Sequence, residues 1–287
     1  MLSKAEILGQ NTMQAKLGLW TANLRDNFSI INSCKDITSL PKLDSSALCI
    51  AAGESTKLHY DEIKQFKGKI FSCEKNLISL LEEGIIPDYV VSIDGSDIMT
   101  QFINNPIVDK YSDRMTGVFA TTVSPKFIDR WKGKKIFFNA WLDDQNEIKS
   151  VSLVFQELTQ KATMHTGGHC GATLWFLAYY LQANLIVLLG LDMAYPLSIP
   201  DLSYTSLWEG IKHLPREEIL KYYRRETNPF GEIIITDYVW DGFKDSWMSW
   251  IREMQEYKTI QCSDYTILHE DPIIIKKFDE LLKEVNI

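Results

Sequence analysis

The run Leu185-Ile-Val-Leu-Leu189 sets the tightest limit on what this chain can fold into. A strand without polar alternation must be covered on both faces, which calls for a mostly parallel sheet flanked by helices. Ahead of it stands Thr166-Gly-Gly-His-Cys-Gly-Ala-Thr-Leu-Trp-Phe-Leu-Ala-Tyr-Tyr-Leu, which reads as a glycine turn and then a helix starting near His169. Gly167 and Gly168 leave the backbone free to approach a ligand. The helix start adds unpaired N–H groups and a positive dipole end, an arrangement suited to phosphate. Gly190 and Asp192 follow the strand, at the carboxyl end where open α/β sheets bind ligands. Helix–strand pairs of this kind occur throughout α/β domains, so a structural role stays open beside the ligand role. Gln182 and Asn184 interrupt the apolar stretch 174–191, and no membrane span is expected there.

The rest of the first two thirds repeats the same rhythm. Residues 47–52 are a short buried strand, Gly53-Glu-Ser-Thr-Lys57 a turn, and Tyr60 to Phe66 a helix. That order forms the first unit of a nucleotide-binding fold. The turn is neither a P-loop nor Gly-x-Gly-x-x-Gly, so its own specificity is low. Strands are expected at Lys69–Cys73, Asp88–Asp94, Gly117–Thr121 and Lys134–Phe138. Helices are expected at Asn76–Glu83, Pro125–Trp131 and Glu147–Gln160. This alternation predicts an α/β, Rossmann-like, doubly wound and mostly parallel sheet with right-handed crossovers. Asp94, followed by Gly95, ends its strand as Asp192 does. A carboxylate there can bond a ribose, hold a divalent cation or act as a base. Asp94 can equally cap a helix starting near Ser96.

Segments outside this rhythm set the domain organisation. Residues 1–44 form an N-terminal helical segment of one or two helices, with Leu17, Trp20, Leu24 and Phe28 among its apolar markers. Residues 45–268 are the nucleotide-binding domain, and 269–287 a C-terminal helix whose apolar face includes Ile274, Phe278 and Leu281. Within the domain, residues 193–237 are rich in Tyr, Pro, Trp and charge and read as a long irregular, lid-like insertion. Arg224 and Arg225 there are candidates for a phosphate or carboxylate clamp, or for offsetting a helix dipole. His213 and His169 are the histidines best placed for chemistry. A strand at Gly231–Thr236, a tryptophan-rich helix at Asp241–Tyr257 and a final strand at Thr259–Cys262 complete the reading.

The formal net charge of −8, with no Lys/Arg run, argues against a nucleic-acid surface. The cysteines Cys34, Cys49, Cys73, Cys170 and Cys262 are scattered, without metal-ligand spacing, as free thiols in a reducing compartment would be. The opening Met-Leu-Ser-Lys-Ala-Glu lacks an apolar signal core, so the expected location is cytoplasmic.

Four stretches together carry a family resemblance: Trp20-Thr-Ala-Asn-Leu-Arg-Asp-Asn27, Ala-Ala-Gly53-Glu-Ser55, Pro87-Asp-Tyr-Val-Val-Ser-Ile-Asp94, and Thr166-Gly-Gly through Gly-Leu-Asp192-Met-Ala-Tyr195. They resemble the motility accessory factor proteins, which glycosylate flagellin. The glycine loop and the Thr-Gly-Gly turn are also similar to those of bacterial sialyltransferases that use a CMP-sugar. Ser92-Ile-Asp94-Gly95 resembles the Asp-Leu-Asp-Gly motif of the archaeal 6-hydroxymethylpterin diphosphokinase in the same superfamily. The loop departs from the family pattern at Ala51, Glu54 and Thr56. Glu54 puts a negative charge beside a phosphate position unless it pairs with Lys57.

The resemblance implies a glycosyltransferase-like enzyme acting on a CMP-activated nonulosonic sugar, with a nucleotide-activated small-molecule substrate and no required metal. Thr166, Gly167, Gly168 and His169 would then bind phosphate. Gly53, Ser55, Asp94, Gly95 and Asp192 would line the nucleotide site. Arg224 or Arg225 would hold the sugar carboxylate, and His213, less readily His169, would serve as general base. Two alternatives remain. One is an ATP-dependent diphosphokinase acting on a pterin-like alcohol, with Mg²⁺ on Asp94 and Asp192. The other is a non-catalytic nucleotide-binding protein.

Overall fold

The apolar runs of the sequence become the inner strands of one parallel sheet. A computed structural model describes residues 4–143, 150–198, 205, 207–254 and 256–285. The first strands are β1 (Lys35–Asp36), β2 (Ala47–Ile50), β3 (Lys69–Cys73), β4 (Tyr89–Ser92), β5 (Thr116–Ala120), β6 (Lys134–Ala140), β7 (Thr163–Met164) and β8 (Leu185–Leu189). Next, β9 (Tyr195–Pro196), β10 (Tyr223–Thr227) and β11 (Ile233–Asp237) make a small antiparallel sheet. β12 (Lys258–Gln261) and β13 (Ile274–Ile275) return to the main sheet. Its order is β1-β6-β5-β4-β3-β2-β8-β12-β13, with β7 also paired to β6. The chain therefore winds outward from β2 in one direction and resumes at β8 in the other. The point where that order reverses lies between β2 and β8.

The helices are α1 (Lys4–Ser33), α2 (Tyr60–Ile63), α3 (Leu77–Glu82), α4 (Pro106–Tyr111), α5 (Pro125–Arg130), α6 (Val151–Thr159), α7 (Cys170–Tyr180), α8 (Trp208–Ile211), α9 (Arg216–Ile219), α10 (Tyr238–Glu253) and α11 (Phe278–Val285). Strand periodicity sorts the core into two layers. Ala47, Cys49, Ile186 and Leu188 face the layer that holds Trp175 of α7 and Trp247 of α10. Leu48, Ile50, Val187 and Leu189 face the other, with Phe278, Leu281 and Leu282 of α11. Gly171 through Ala178 are all buried, so α7 is apolar on every side because it is enclosed on every side. The apolar stretch 174–191 thus resolves into a buried helix, a turn with Gln182 at φ +61°, and β8. Among the described residues no helix is long and apolar enough to cross a membrane.

The structure narrows two expectations and changes two others. The N-terminal periodicity belongs to a single helix of 30 residues. The segment 193–237 is not wholly irregular: β9, β10 and β11 pair in it, although 199–204 and 206 lie outside the described residues. Ile274 sits in β13, because pairing with β12 outweighs its place in a helical pattern. The helix expected from Glu147 is described from Val151 on, since 144–149 lie outside the described residues.

The conspicuous Trp20–Asn27 stretch also finds its purpose here. Asn23 and Asn27 are buried on the sheet-facing side of α1. The Asn23 amide donates to the carbonyls of Gly95 and Thr122, both at 2.9 Å, and Asn27 donates to Val123 O at 2.7 Å. These bonds satisfy carbonyls in the loops after β4 and β5 and fix α1 across the carboxyl edge of the sheet.

Candidate active site

The loops leaving β4, β5, β6 and β7, together with α1 and α10, enclose a cavity of about 640 Å³. Its walls are aromatic and small: Trp20 from α1, Trp141 after β6, Phe243 and Trp250 from α10, with Gly167 and Gly168 between them. Among the described residues no lysine or arginine lines it, and Asp143 is the single charged side chain. That carboxylate is committed to the start of α6, accepting from the Val151 and Ser152 amides and the Ser150 and Ser152 hydroxyls. Burial opposes its ionisation, but the bonds from Ser152 and Ser150 prevail and hold its pKa below the ordinary value.

The glycine turn is built so that only glycine fits. Gly167 and Gly168 have φ of +60° and +81°. A Cβ on Gly167 would lie 2.5 Å from Ala172 Cβ, and one on Gly168 would lie 2.7 Å from Phe243 Cε1. Inside the turn, the Gly168 amide donates to Thr166 Oγ1 at 3.4 Å and Thr173 Oγ1 donates to Thr166 O at 3.0 Å. His169 caps α7, its Nδ1 accepting from the Ala172 amide at 3.3 Å. Its ring is buried against Phe243 and Trp240, and burial pushes its pKa down to about 4, so the cap is a neutral imidazole. Thr166, Gly167 and Gly168 are therefore at the cavity wall, and His169 stands behind them.

Sequence reasoning passed over His165, which lines the same cavity. Its ring stacks on Trp141 with centroids 4.0 Å apart and 16° between planes. Trp250 covers it from another side at 3.9 Å and 44°. Burial lowers its pKa to about 4. Its position directly before Thr-Gly-Gly was the available signal; its aromatic neighbours come from distant segments and left no local trace.

Gly53, Ser55 and Asp192 meet at a different place, the reversal point between β2 and β8. The Gly53 amide donates to Gly190 O at 2.8 Å, and the Ser55 amide donates to Asp192 Oδ2 at 3.0 Å. A Cβ on Gly53 would sit 2.4 Å from that same oxygen. The Tyr265 amide donates to Ser55 Oγ at 3.0 Å and closes the cluster from above. Asp192 is buried, and its Oδ1 has no hydrogen-bond partner among the described residues. Burial raises its pKa to about 6, with bonds from Ser55 working against the rise. A side-chain carboxylate thus fills the spot that this loop would offer an anion. Glu54 turns outward to Lys57 at 2.8 Å.

The remaining candidates are spread out. Asp94 is exposed, and its Oδ1 accepts from the Ser96 amide at 2.8 Å, an Asx turn just ahead of the short 3₁₀ helix Asp97–Phe102, whose N-cap is Ser96 rather than Asp94. Gly95 is buried where a Cβ would press on Asn23 and Trp20. Asp94 follows β4 and Asp192 follows β8, three strand spacings apart in the sheet order, or about 14 Å. Among the described residues no cluster of three or more His, Cys, Asp or Glu could hold a metal. His213 lies on an exposed turn after α8. Arg224 and Arg225 are exposed on β10, and Arg224 is paired with Asp241 and Glu226. None of these three lines the cavity; Asp241, the partner of Arg224, immediately precedes the wall residues Gly242 and Phe243 in sequence. A further carboxylate, Glu74, is buried just past β3 and accepts from the Cys170 thiol at 3.3 Å; burial pushes its pKa up to about 7.

Residues 20–197 match the family model described as 6-hydroxymethylpterin diphosphokinase MptE-like. Among solved structures, the chain is similar to the MAf glycosyltransferase from Magnetospirillum magneticum AMB-1, at 16% identity and a TM-score of 0.62. That likeness covers 84% of this chain but 35% of the other, so the chain spans about a third of that protein's length. At this identity the likeness is one of fold, and it fits the mostly parallel α/β sheet described above. No curated protein matches the sequence.

Proposed function

We propose, from the premise that the chain belongs to the 6-hydroxymethylpterin diphosphokinase MptE-like family, that it is a glycosyltransferase-like enzyme that binds a CMP-activated nonulosonic sugar. The observation that carries this reading is the cavity's chemistry: aromatic walls, one left-handed glycine turn and no described lining cation. Backbone amides in such a turn suit a single phosphate. A CMP-sugar has one phosphate, whereas a nucleoside triphosphate concentrates several negative charges that need cations. The solved glycosyltransferase of the same fold lends support by its named activity.

In this reading Thr166, Gly167 and Gly168 face the phosphate, and His169 holds their turn. Asp94, exposed at the edge of β4, meets ribose hydroxyls. Gly53 and Ser55 hold Asp192 in place. Arg224 reaches the sugar carboxylate by exchanging it for Asp241. The acceptor oxygen attacks the anomeric carbon, the bond from that carbon to the phosphate oxygen breaks, and CMP leaves with the electron pair. Amides at the phosphate stabilise the leaving group. The acceptor proton goes to a base, and His213 serves only if the insertion closes over the cavity.

The family's description favours ATP-dependent diphosphate transfer as the second reading. The Mg²⁺ it implies does not fit Asp94 and Asp192, which follow strands three spacings, or about 14 Å, apart in the sheet. Asp192 is also already bonded to the Ser55 amide. A thermal-shift panel of CMP, CDP, CTP, UDP, GDP and ATP, with and without Mg²⁺, separates the readings. The proposal expects stabilisation by CMP without metal. Stabilisation by ATP only with Mg²⁺ would favour the diphosphokinase, and no response would leave a non-catalytic protein.

A further inference from the structure

We propose that His165 is a specificity-determining residue of the cavity, one that reads a sugar hydroxyl next to the bound phosphate through the edge of its ring. This rests on the cavity being the nucleotide-sugar site. Trp141 stacks on the imidazole at 4.0 Å between centroids, and Trp250 at 3.9 Å and Phe176 at 5.6 Å pack on it at a tilt, so aromatic rings take up its face contacts. What remains is the edge, which carries the ring's polar atoms, and the residue borders the cavity. Neither ring nitrogen has a hydrogen-bond partner among the described residues, and neither is sealed off as a buried unpaired atom. A polar edge held by three aromatic rings and left without a hydrogen-bond partner among the described residues is preorganised for a ligand group.

Position selects that group. His165 lies two residues from Gly167, so the two backbones are at most about 7 Å apart. A ligand whose phosphate rests on the glycine turn brings its phosphate-linked rings to His165, and these carry hydroxyls. A neutral imidazole has one donor and one acceptor nitrogen, matching a hydroxyl, which also donates and accepts. The ring's lowered pKa keeps it in that form down to about 4. His169 is neutral too, but its Nδ1 is used on Ala172 and it lies behind the turn.

The hydroxyl comes either from the ribose or from the transferred sugar, and His165→Phe distinguishes them. Phenylalanine keeps the stack and removes only the polar edge. The variant should melt at or slightly above the native temperature, because no internal hydrogen bond is lost. Its affinity for CMP should fall about five- to tenfold by titration calorimetry if the ribose is read. If the transferred sugar is read, CMP affinity stays level and affinity for CMP-N-acetylneuraminate falls by that factor. Unchanged affinity for both ligands would overturn the assignment and leave the site reading intact. A fall of several degrees in melting temperature would overturn it without any ligand, by showing the edge is bonded inside the protein. If the native chain binds neither ligand, the site reading fails and this inference fails with it.

Discussion

Replacing Asp192 with asparagine tests whether the β2–β8 crevice is filled from within. Burial raises the Asp192 pKa from 3.8 to about 6, so the folded chain holds this proton more tightly than the unfolded one. The resulting stability is fully present below the unfolded pKa and is lost as pH rises through about 6. A shift of roughly two units amounts to about 3 kcal/mol of cost once the group is ionised on both sides of the folding equilibrium. Near pH 4.5 the same relation leaves a cost of about 1 kcal/mol. Asparagine cannot ionise, but it is a weaker acceptor for the Ser55 amide and puts an NH₂ or a carbonyl at the unpartnered Oδ1 position. We set that loss at about 1 kcal/mol. Asp192→Asn should therefore be close to neutral near pH 4.5 and about 2 kcal/mol more stable than the native chain near pH 8. For a chain of this size that is about 4 °C in Tm. Urea unfolding followed by tryptophan fluorescence at both pH values measures it. Comparing native and variant at one pH cancels the titration of groups outside the cluster, though Asp264, which His59 meets at 2.6 Å, also acts on Asp192. A variant no more stable near pH 8 than near pH 4.5, relative to the native chain, would mean that Asp192 is solvated or fully partnered and that the crevice is not filled by a buried acid.

Three further perturbations follow from the same contacts. Gly168→Val forces a side chain into a backbone at φ +81° and against Phe243. It should cost about 3 kcal/mol and abolish any CMP-induced rise in Tm; retention of that rise would place the phosphate elsewhere. Asn23→Ala removes two buried hydrogen bonds and should lower stability by about 2 kcal/mol, read by urea unfolding, with no change meaning α1 is not anchored there. For Glu74, burial raises the pKa from 4.5 to about 7, so its stabilising proton is lost as pH rises through that value. Glu74→Gln should gain stability relative to the native chain between about pH 5 and pH 8, and a flat difference over that range would contradict the buried-acid assignment.

What the sequence made legible was local. The unbroken apolar run of β8 announced a two-faced sheet, and Gly-Gly before an apolar helix announced a tight turn at its N-terminus. Asp192 was visible at a strand end, yet its role depends on Ser55, 137 positions away, and no periodicity reports such a contact. The same limit hid His165, whose two indole neighbours lie after β6 and on α10. β1 and β7 are two residues each, too short to show alternation. Trp20–Asn27 stood out as a motif, but its asparagines bond backbone carbonyls, which carry no side-chain signature. Glu54 was recognisable as the partner of Lys57 because three-residue spacing places them side by side.

A crystal structure of the chain grown with CMP and without divalent metal would show directly where the phosphate binds. CMP should lie in the cavity, its phosphate against Gly167 and Gly168 and its ribose near Asp94, with Asp192 still bonded to Ser55. A phosphate seated on Gly53 and Ser55, with Asp192 displaced from the Ser55 amide, would contradict it.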